Sequence, residues 1–256
     1  MFKKIILAAL IVGTAAFAQI NAKFGANAAF TFGTTWGENS DKLHNSWGPG
    51  FAGGLDAKIA INSSLSFITG LNFEYRNIPS DILKEGFLDL AEKVLRGYGQ
   101  SMSRSELRES MRNSDAGELL ETDFSFSFKY LDIPLMLQYN VNPQFFVEAG
   151  AVIGFNLSCD YNISYEGQSA SKNLPSDFVK TVEVSAVVGV GYSILPNLDF
   201  NLRFDMGLTD MVEAKKTILE FMQEIGGEAE YLVSYLESDY GFKNMRFQAG
   251  LTFWFN

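Results

Sequence analysis

Cysteine, histidine and long apolar runs are all scarce in this sequence of 256 residues. A single thiol, Cys159, cannot form an internal disulfide, which excludes a disulfide-stapled fold. The only histidine, His44, excludes metal sites built from several histidines and leaves few candidate general bases. After the chain start no run approaches the roughly 20 consecutive apolar residues of a transmembrane helix. The fold must therefore be stabilised by something else.

Basic residues are also in the minority, with 20 Lys and Arg against 30 Asp and Glu. Nucleic acid is excluded as a partner on this ground, because its binding depends on Lys and Arg at phosphates. No Pro-rich or Ser-rich linker divides the chain. Gly and Phe, at 23 each, are plentiful, and this composition suits long strands with aromatic positions.

The chain start has the pattern of a secretory signal peptide. Lys3 and Lys4 precede an apolar run over 5–12, and a small-x-small cleavage site follows at 16–18. The pattern predicts a signal peptide over 1–18 and a mature domain over 19–256. No cysteine stands directly after the cleavage point, so a lipid anchor is not expected.

Eight segments alternate apolar and polar residues with the period of two that a half-buried strand requires. They cover 22–33, 51–61, 64–76, 123–140, 144–157, 181–194, 198–208 and 244–256. The fourth segment carries Phe124, Phe126, Phe128 and Tyr130, and then continues out of phase from Leu131. That slip predicts a β-bulge near Tyr130 and Leu131.

Short and long connections alternate between these segments. Tight turns rich in Asn, Pro or Ser are predicted at 62–63, 141–143 and 195–197. Long loops are predicted at 34–50, 77–122, 158–180 and 209–243. Transmembrane β-barrels have this arrangement, with an even number of strands and both chain ends on the short-turn, periplasmic side.

On each predicted strand, the residues on the face opposite the apolar one distinguish a membrane barrel from a soluble barrel with an apolar interior. They are mostly small or polar, namely Gly25, Asn27, Gly33, Ser66, Gly70, Asn72, Ser125, Ser127, Gly150, Gly154, Ser185, Gly189, Gly191, Asn201, Gly207 and Gly250. The charged ones are Glu74, Arg76, Lys129, Glu148, Glu183, Arg203, Asp205 and Arg246. Such residues suit the cramped lumen of an eight-stranded barrel. We predict an all-β, eight-stranded antiparallel transmembrane barrel in the cell outer membrane, closed by a Glu, Asp and Arg network, without porin-like conduction.

Two hairpins resemble those of a known family. Tyr130-Leu-Asp-Ile-Pro-Leu-Met-Leu-Gln-Tyr139, a turn and Phe146-Val-Glu-Ala-Gly150 are similar to the central hairpin of PorT-like outer-membrane β-barrel proteins. Gly189-Val-Gly-Tyr192 with 198–208 is similar to their next hairpin. The resemblance implies an outer-membrane, eight-stranded barrel, and members of the family have been tied to secretion or gliding machinery. The final strand also predicts recognition by the barrel-insertion machinery through Phe253 and Phe255, although Asn256 follows the last aromatic.

The long loops contain helical patterns. Ser80 is the predicted N-cap of a helix with its apolar stripe at Leu83, Phe87, Leu90, Ala91, Val94 and Leu95. Ser103 and Glu106 form a capping-box pattern, and Asp210 with Glu213 opens a third helix that Gly226 would end. These helices are expected to cover the barrel mouth, and the alternative is a surface for a partner or a glycan.

Candidates for chemistry are few. His44 lies near Ser40, Asp41 and Ser46 in the first long loop, where it is interpreted as a solvated residue. Glu148 and Glu183 are expected to balance Arg203 and Arg246, and Cys159 is expected to be a packed thiol. No catalytic, cofactor-binding or metal-binding residue is therefore predicted.

Three hypotheses about function remain open. The first is a non-enzymatic barrel that contacts outer-membrane lipid and, through its long loops, an envelope protein partner or a secretion assembly. The second is an outer-membrane lipid-modifying enzyme, an acyltransferase or deacylase, with His44 as base. The third is a soluble ligand-binding barrel.

Overall fold

A computed structural model describes residues 22–37, 44–97, 101–112, 121–174, 179–212 and 242–255. The predicted signal peptide and the predicted helix over 210–226 lie, wholly or almost wholly, outside these residues. The strands are β1 (Ala22–Trp36), β2 (Gly48–Ala60), β3 (Leu65–Pro79), β4 (Asp123–Asn140), β5 (Phe145–Tyr165), β6 (Gln168–Asn173), β7 (Val182–Leu195), β8 (Leu198–Gly207) and β9 (Lys243–Trp254). The helices are α1 (Ile82–Gly97) and α2 (Arg104–Arg112).

Eight of these strands close into an antiparallel barrel. β1 to β5 each pair with the next strand along the chain, and so do β7 and β8. β5 also pairs with β7, and β9 returns to pair with β1 from Gly25↔Trp254 to Trp36↔Lys243. Closure leaves no edge within the barrel wall. The predicted architecture is confirmed.

Short turns join the strands at one rim, which we call the short-turn rim. Asn62 and Asn142 have the same role in two of these turns. The Asn62 side chain accepts the backbone N–H groups of Ser64 and Leu65, at 2.9 and 2.8 Å, and Asn142 does the same one hairpin later. The third turn, at Pro196 and Asn197, joins β7 to β8. The strand ends that the longer connections join lie at the opposite rim, which we call the long-loop rim.

Side chains alternate between the two faces of the wall as predicted for most strands. On β8, Leu202 is 47% exposed on the outer face, while Asn201 and Asp205 of the same strand are buried inside. Large apolar side chains cover the outside of β1, β2, β3, β7 and β9 in the same way. Such a surface suits lipid on the outside and a polar lumen within.

The upper part of β4 corrects the prediction. A register shift between Lys129 and Tyr130 confirms the bulge, and the extra residue, Leu157, lies on β5. Yet β4 does not change phase, because Phe128, Tyr130 and Asp132 are all buried on the inner side. Phe124, Phe126, Phe128 and Tyr130 therefore line the barrel interior, and Ser125, Ser127 and Lys129 face outward instead of into the lumen.

The loop predicted over 158–180 is also partly wrong. β5 continues to Tyr165, turns at Glu166 and Gly167, and pairs with β6 from Tyr165↔Gln168 to Asp160↔Asn173. Both turn residues have positive φ, 48° and 79°, which is the conformation of a two-residue type I′ hairpin turn. This hairpin extends the sheet beyond the barrel at the long-loop rim.

The helices α1 and α2 form a helical hairpin above the end of β3. Leu88 of α1 packs against Leu107 and Met111 of α2, with Ala91 and Leu95 beside them. Of the predicted apolar stripe, Ala91 and Leu95 therefore lie at the contact between the two helices. That these helices cover the barrel mouth stays a prediction. The side chains of Leu83, Phe87, Leu90 and Val94 lie outside the described set.

Caps explain where both helices begin. α1 begins at Ile82, so Asp81 and not Ser80 holds the N-cap position. The predicted capping box of α2 is confirmed, because Ser103 N–H donates to Glu106 Oε2 at 2.8 Å and Glu106 N–H donates to Ser103 Oγ at 3.3 Å. No helix among the described residues is long and apolar enough to cross a membrane.

The capping box makes α2 sensitive to acid. The Ser103 amide and hydroxyl both donate to the Glu106 carboxylate and hold its pKa below the ordinary value. This support is present above the ordinary pKa and is lost as pH falls through the lowered one. We expect Ser103→Ala to move the pKa of Glu106 part of the way back up, because only the hydroxyl is removed. An NMR titration of the Glu106 carboxyl carbon measures it.

Ser101→Ala is the control, since Ser101 lies outside the box and should leave that pKa unchanged. An unaltered pKa in Ser103→Ala would contradict this account of the cap.

Candidate functional site: the lumen and the long-loop rim

Arg76 is the centre of a buried ionic network inside the barrel. Its guanidinium donates to both oxygens of Glu183, at 3.0 and 2.8 Å, and to Glu74 Oε2 at 2.9 Å. The same group lies 4.2 Å from the ring centroid of Tyr130 and 3.8 Å from Asp132 Oδ2. Multiple charge-assisted bonds of this kind compensate for removing the carboxylates from water.

Two further arginines complete the network. Arg246 donates to Asp205 Oδ2 at 2.9 Å and contacts Glu74. Arg203 donates to both oxygens of Glu148, at 2.7 and 3.2 Å. The predicted closure by Glu, Asp and Arg is confirmed, as is the pair Glu148 with Arg203. Glu183 pairs with Arg76, however, which is outside the expected set of Arg203 and Arg246.

Several lumen charges escaped the sequence analysis. Near the short-turn rim, Asp199 accepts hydrogen bonds from Trp254 Nε1 at 2.7 Å and Ser193 Oγ at 2.6 Å. Lys58 Nζ lies 3.7 Å from Asp199 and 5.3 Å from the Trp254 ring centroid. In the sequence, each of Asp56, Lys58 and Asp199 lies between two apolar residues that face outward. That alternation was the signal that could have identified these three residues as facing the lumen.

An apolar cluster closes the lumen at the long-loop rim. We call it the apolar plug, and its buried members are Ile78, Phe128, Tyr130, Cys159, Leu174, Val179, Met211, Val212 and Phe242. Below it, two cavities beside Arg246 offer only about 10 and 20 Å³ of space for water. Each is close to the volume that a single water molecule needs. Among the described residues, the ionic network and the apolar plug therefore fill the lumen around these two cavities.

The candidates for chemistry lie apart from one another. His44 has a positive φ of 46°, and its carbonyl accepts the Asp81 N–H at 3.2 Å. Ser46 is exposed nearby, whereas Ser40 and Asp41 lie outside the described residues. Cys159 is 2% exposed within the apolar plug, as a packed thiol should be. No group of three or more potential metal ligands occurs in the part of the chain that the structure describes.

Stacked aromatic rings form a band on the outer face near the long-loop rim. Trp47 lies between Phe32 and Phe247, with ring centroids 5.4 and 5.7 Å away, and Phe204 follows at 5.0 Å from Phe247. Aromatic girdles of this kind flank the apolar surface of membrane barrels at the lipid interface. The outer face, the filled lumen and the alternating connections define a small outer-membrane β-barrel protein.

Comparison with protein families agrees with this class. The model of the outer membrane protein beta-barrel domain family matches residues 17–213, and the chain belongs to that family. It is a protein of the cell outer membrane, so the short-turn rim is periplasmic and the long-loop rim extracellular. No curated protein matches the sequence.

Solved structures of outer-membrane barrels are similar in outline. Neisserial surface protein A is 11% identical, with 91% of this chain and 97% of that chain covered and a TM-score of 0.39. The attachment invasion locus protein Ail of Yersinia pestis is 10% identical, with the same coverage and a TM-score of 0.37. The Escherichia coli outer membrane protease OmpT is 10% identical, with coverage of 92% and 96% and a TM-score of 0.30.

Proposed function

We propose that this barrel is a non-enzymatic interaction protein that presents its extracellular loops to a partner in the cell envelope. The observation that carries the proposal is the filled lumen. Arg76 and its carboxylates occupy the middle, and the apolar plug closes the extracellular end. Since no route for a solute crosses the described interior, the surfaces outside the membrane are left to perform the function.

The helical hairpin is the most developed of these surfaces. Its core of Leu88, Leu107 and Met111 is self-contained, and Lys84 ties it to Asp123 at the start of β4 with a 3.4 Å contact. Charged side chains such as Arg96 and Arg112 are exposed on it. The similarity of residues 130–192 to PorT-like proteins favours an envelope or secretion assembly as the setting.

Site-specific photo-crosslinking in the native envelope tests the proposal. We expect a photoreactive residue at Ser110 or Arg112 of α2 to give one discrete protein adduct. The same probe at Ser63, in an exposed periplasmic turn, is the control and should not give that adduct. Replacing 83–112 by a short Gly-Ser turn should abolish recovery of the partner. No adduct from α2, or the same adduct from Ser63, would contradict the proposal.

A catalytic role is tested separately through His44. If the protein is not an enzyme, His44→Ala leaves the acylation pattern of outer-membrane lipids as it is in the wild type. Mass spectrometry of extracted lipid A measures this. A change in acyl-chain number in His44→Ala, matched by deletion of the gene, would establish the lipid-modifying alternative.

We also propose that the barrel-insertion machinery recognises the last strand through Phe253 and Phe255. Both rings lie on the lipid-facing side, with centroids 6.0 Å apart and each about half exposed. The intervening Trp254 points into the lumen toward Asp199. The two outward rings are therefore the aromatic pattern at the C-terminal end of this strand.

A further inference from the structure

The outer face of the wall changes character abruptly along β4. Leu137, Leu135, Ile133 and Leu131 face outward in the lower part, and Lys129 begins a polar series that continues through Ser127 and Ser125. All of these residues lie on one face of one uninterrupted strand. The change therefore marks the upper limit of the apolar band on this side of the barrel.

Neighbouring strands change at the same level. In register, Tyr75 of β3 lies opposite Lys129, and Lys129 lies opposite Ser158 of β5. Above this row the outward residues are mostly polar, and β6 widens the sheet at their level. We call this surface the polar extension face, and its central members are Asn77, Ser125, Asp160, Asn162 and Ser164. Ser127, which is 4% exposed, is covered by these neighbours and does not contribute to the accessible surface.

The height of this face matches the headgroup region of a membrane. Two residues of a strand rise about 6.6 Å, or about 5 Å along the membrane normal at the tilt of about 40° common in such barrels. Three outward residues of β4, at 127, 125 and 123, follow Lys129. The face therefore rises about 15 Å above the apolar band, directly over the lipid that contacts Leu131 and Ile133.

The chemistry of the face is that of hydroxyl and amide groups. Tyr75 Oη and Ser127 Oγ are 2.9 Å apart, and Asn162 Nδ2 donates to Ser127 Oγ at 2.8 Å. Charge is balanced locally, because Lys129 Nζ lies 3.0 Å from Asp160 Oδ2. Such groups offer both donors and acceptors, as the hydroxyls of a sugar do.

A protein partner is the poorer match for this surface. Protein interfaces depend on aromatic and Arg anchors at their centre. Above the row of Tyr75 and Lys129, the described outward residues of β3, β4, β5 and β6 include neither an aromatic ring nor an arginine. Continuity with the lipid-facing surface below it favours the headgroup of the same lipid.

We propose that the polar extension face binds the saccharide headgroup of an outer-leaflet glycolipid of the lipopolysaccharide type. The acyl chains of that lipid lie against the apolar side chains of β4 and β5, and its sugars lie against Ser125 and Asn162. This binding is independent of the proposed partner of the helical hairpin, so either can fail without the other.

Binding is tested with the purified, folded protein in detergent micelles and three probes. These are rough lipopolysaccharide, lipid A without core sugars, and the soluble core oligosaccharide. We expect rough lipopolysaccharide to bind about ten-fold more tightly than lipid A, because its core sugars extend the headgroup along the hydroxyl and amide side chains beyond the reach of the lipid A disaccharide. Equal binding of both lipids would overturn the proposal. Soluble oligosaccharide that binds as tightly as rough lipopolysaccharide would instead identify a free glycan as the occupant.

A double variant locates the site. Ser125→Leu with Asn162→Leu should remove the preference for rough lipopolysaccharide over lipid A. Ser101→Leu with Ser110→Leu is the matched control, because both serines are exposed but lie on or beside α2. Heat-modifiable gel migration verifies folding, and Ser125→Ala with Asn162→Ala replaces the first variant if it does not fold. A preference that survives in the folded face variant would contradict the proposed site.

Discussion

Replacing Arg76 by methionine is expected to lower the free energy of unfolding by about 3–5 kcal/mol. The substitution removes the donors to Glu183 and Glu74, so the buried Glu183 loses its arginine partner and Glu74 keeps only its contact with Arg246. The Arg76 side chain is only 6% exposed, so solvent cannot take over its role. Urea unfolding of the protein in lipid vesicles, followed by gel migration without heating, measures the change.

Arg96→Met is the matched control for this experiment. Arg96 is 71% exposed on α1 and contacts Glu92, four residues earlier. Exposed pairs of that kind contribute about 0.3–0.5 kcal/mol. Adding Glu183→Gln to Arg76→Met should restore part of the lost stability, because one uncompensated charge is removed. Equal midpoints for Arg76→Met and the wild type would contradict the ionic network as described.

Leu202→Arg is expected to cost about 2–4 kcal/mol, the penalty for a cation at the bilayer midplane on the lipid face of a barrel. Leu202 lies near the middle of the outward apolar series of β8, between Val190 of β7 and Ala249 of β9. The same urea unfolding experiment measures the change.

Leu208→Arg is the control, since Leu208 is also exposed but follows the last residue of β8 at the extracellular end. There the penalty should fall to about 0–1 kcal/mol. Two substitutions with equal and small costs would show that the outer face of β8 meets water and not lipid.

The sequence predicted the barrel well because its constraints are local. A period of two identifies a strand wherever one face differs from the other, and Asn62, Asn142 and Pro196 mark the turns. The number of strands and the alternation of short and long connections follow directly. Closure between β1 and β9 was inferred from those connections and is confirmed by their paired register.

Orientation in the upper part of β4 could not be read from the same pattern. The alternation of Phe124, Phe126, Phe128 and Tyr130 shows that one face is apolar but not which side of the wall it occupies. Above the membrane the apolar side turns inward, because the apolar plug buries Phe128 and Tyr130 away from water. Ser127, Lys129 and Leu131 alternate along the strand without a break in phase. That continuity was the clue that Ser127 and Lys129 face the same side as Leu131.

The sequence predicted that charged residues fill the lumen, but it did not predict which of them pair with one another. Arg76 and Glu183 are far apart in sequence, and their contact depends on the stagger of strands around the barrel. The β5–β6 hairpin had a local signal, the Glu166-Gly167 turn flanked by alternating residues, which sequence analysis missed. Conversely, the capping box depends only on Ser103 and Glu106, three positions apart, and was predicted correctly.

A paramagnetic accessibility scan of the outer face tests the central claim most directly. In a Cys159→Ala background, nitroxide labels are placed on β8 at 198, 200, 202, 204 and 206, and on β6 at 169 and 171. If the outer face of the barrel meets lipid, collisions with dissolved oxygen are most frequent at 202, and collisions with a water-soluble nickel chelate are most frequent at 169 and 171. A nickel collision rate at 202 equal to that at 169 would contradict the account.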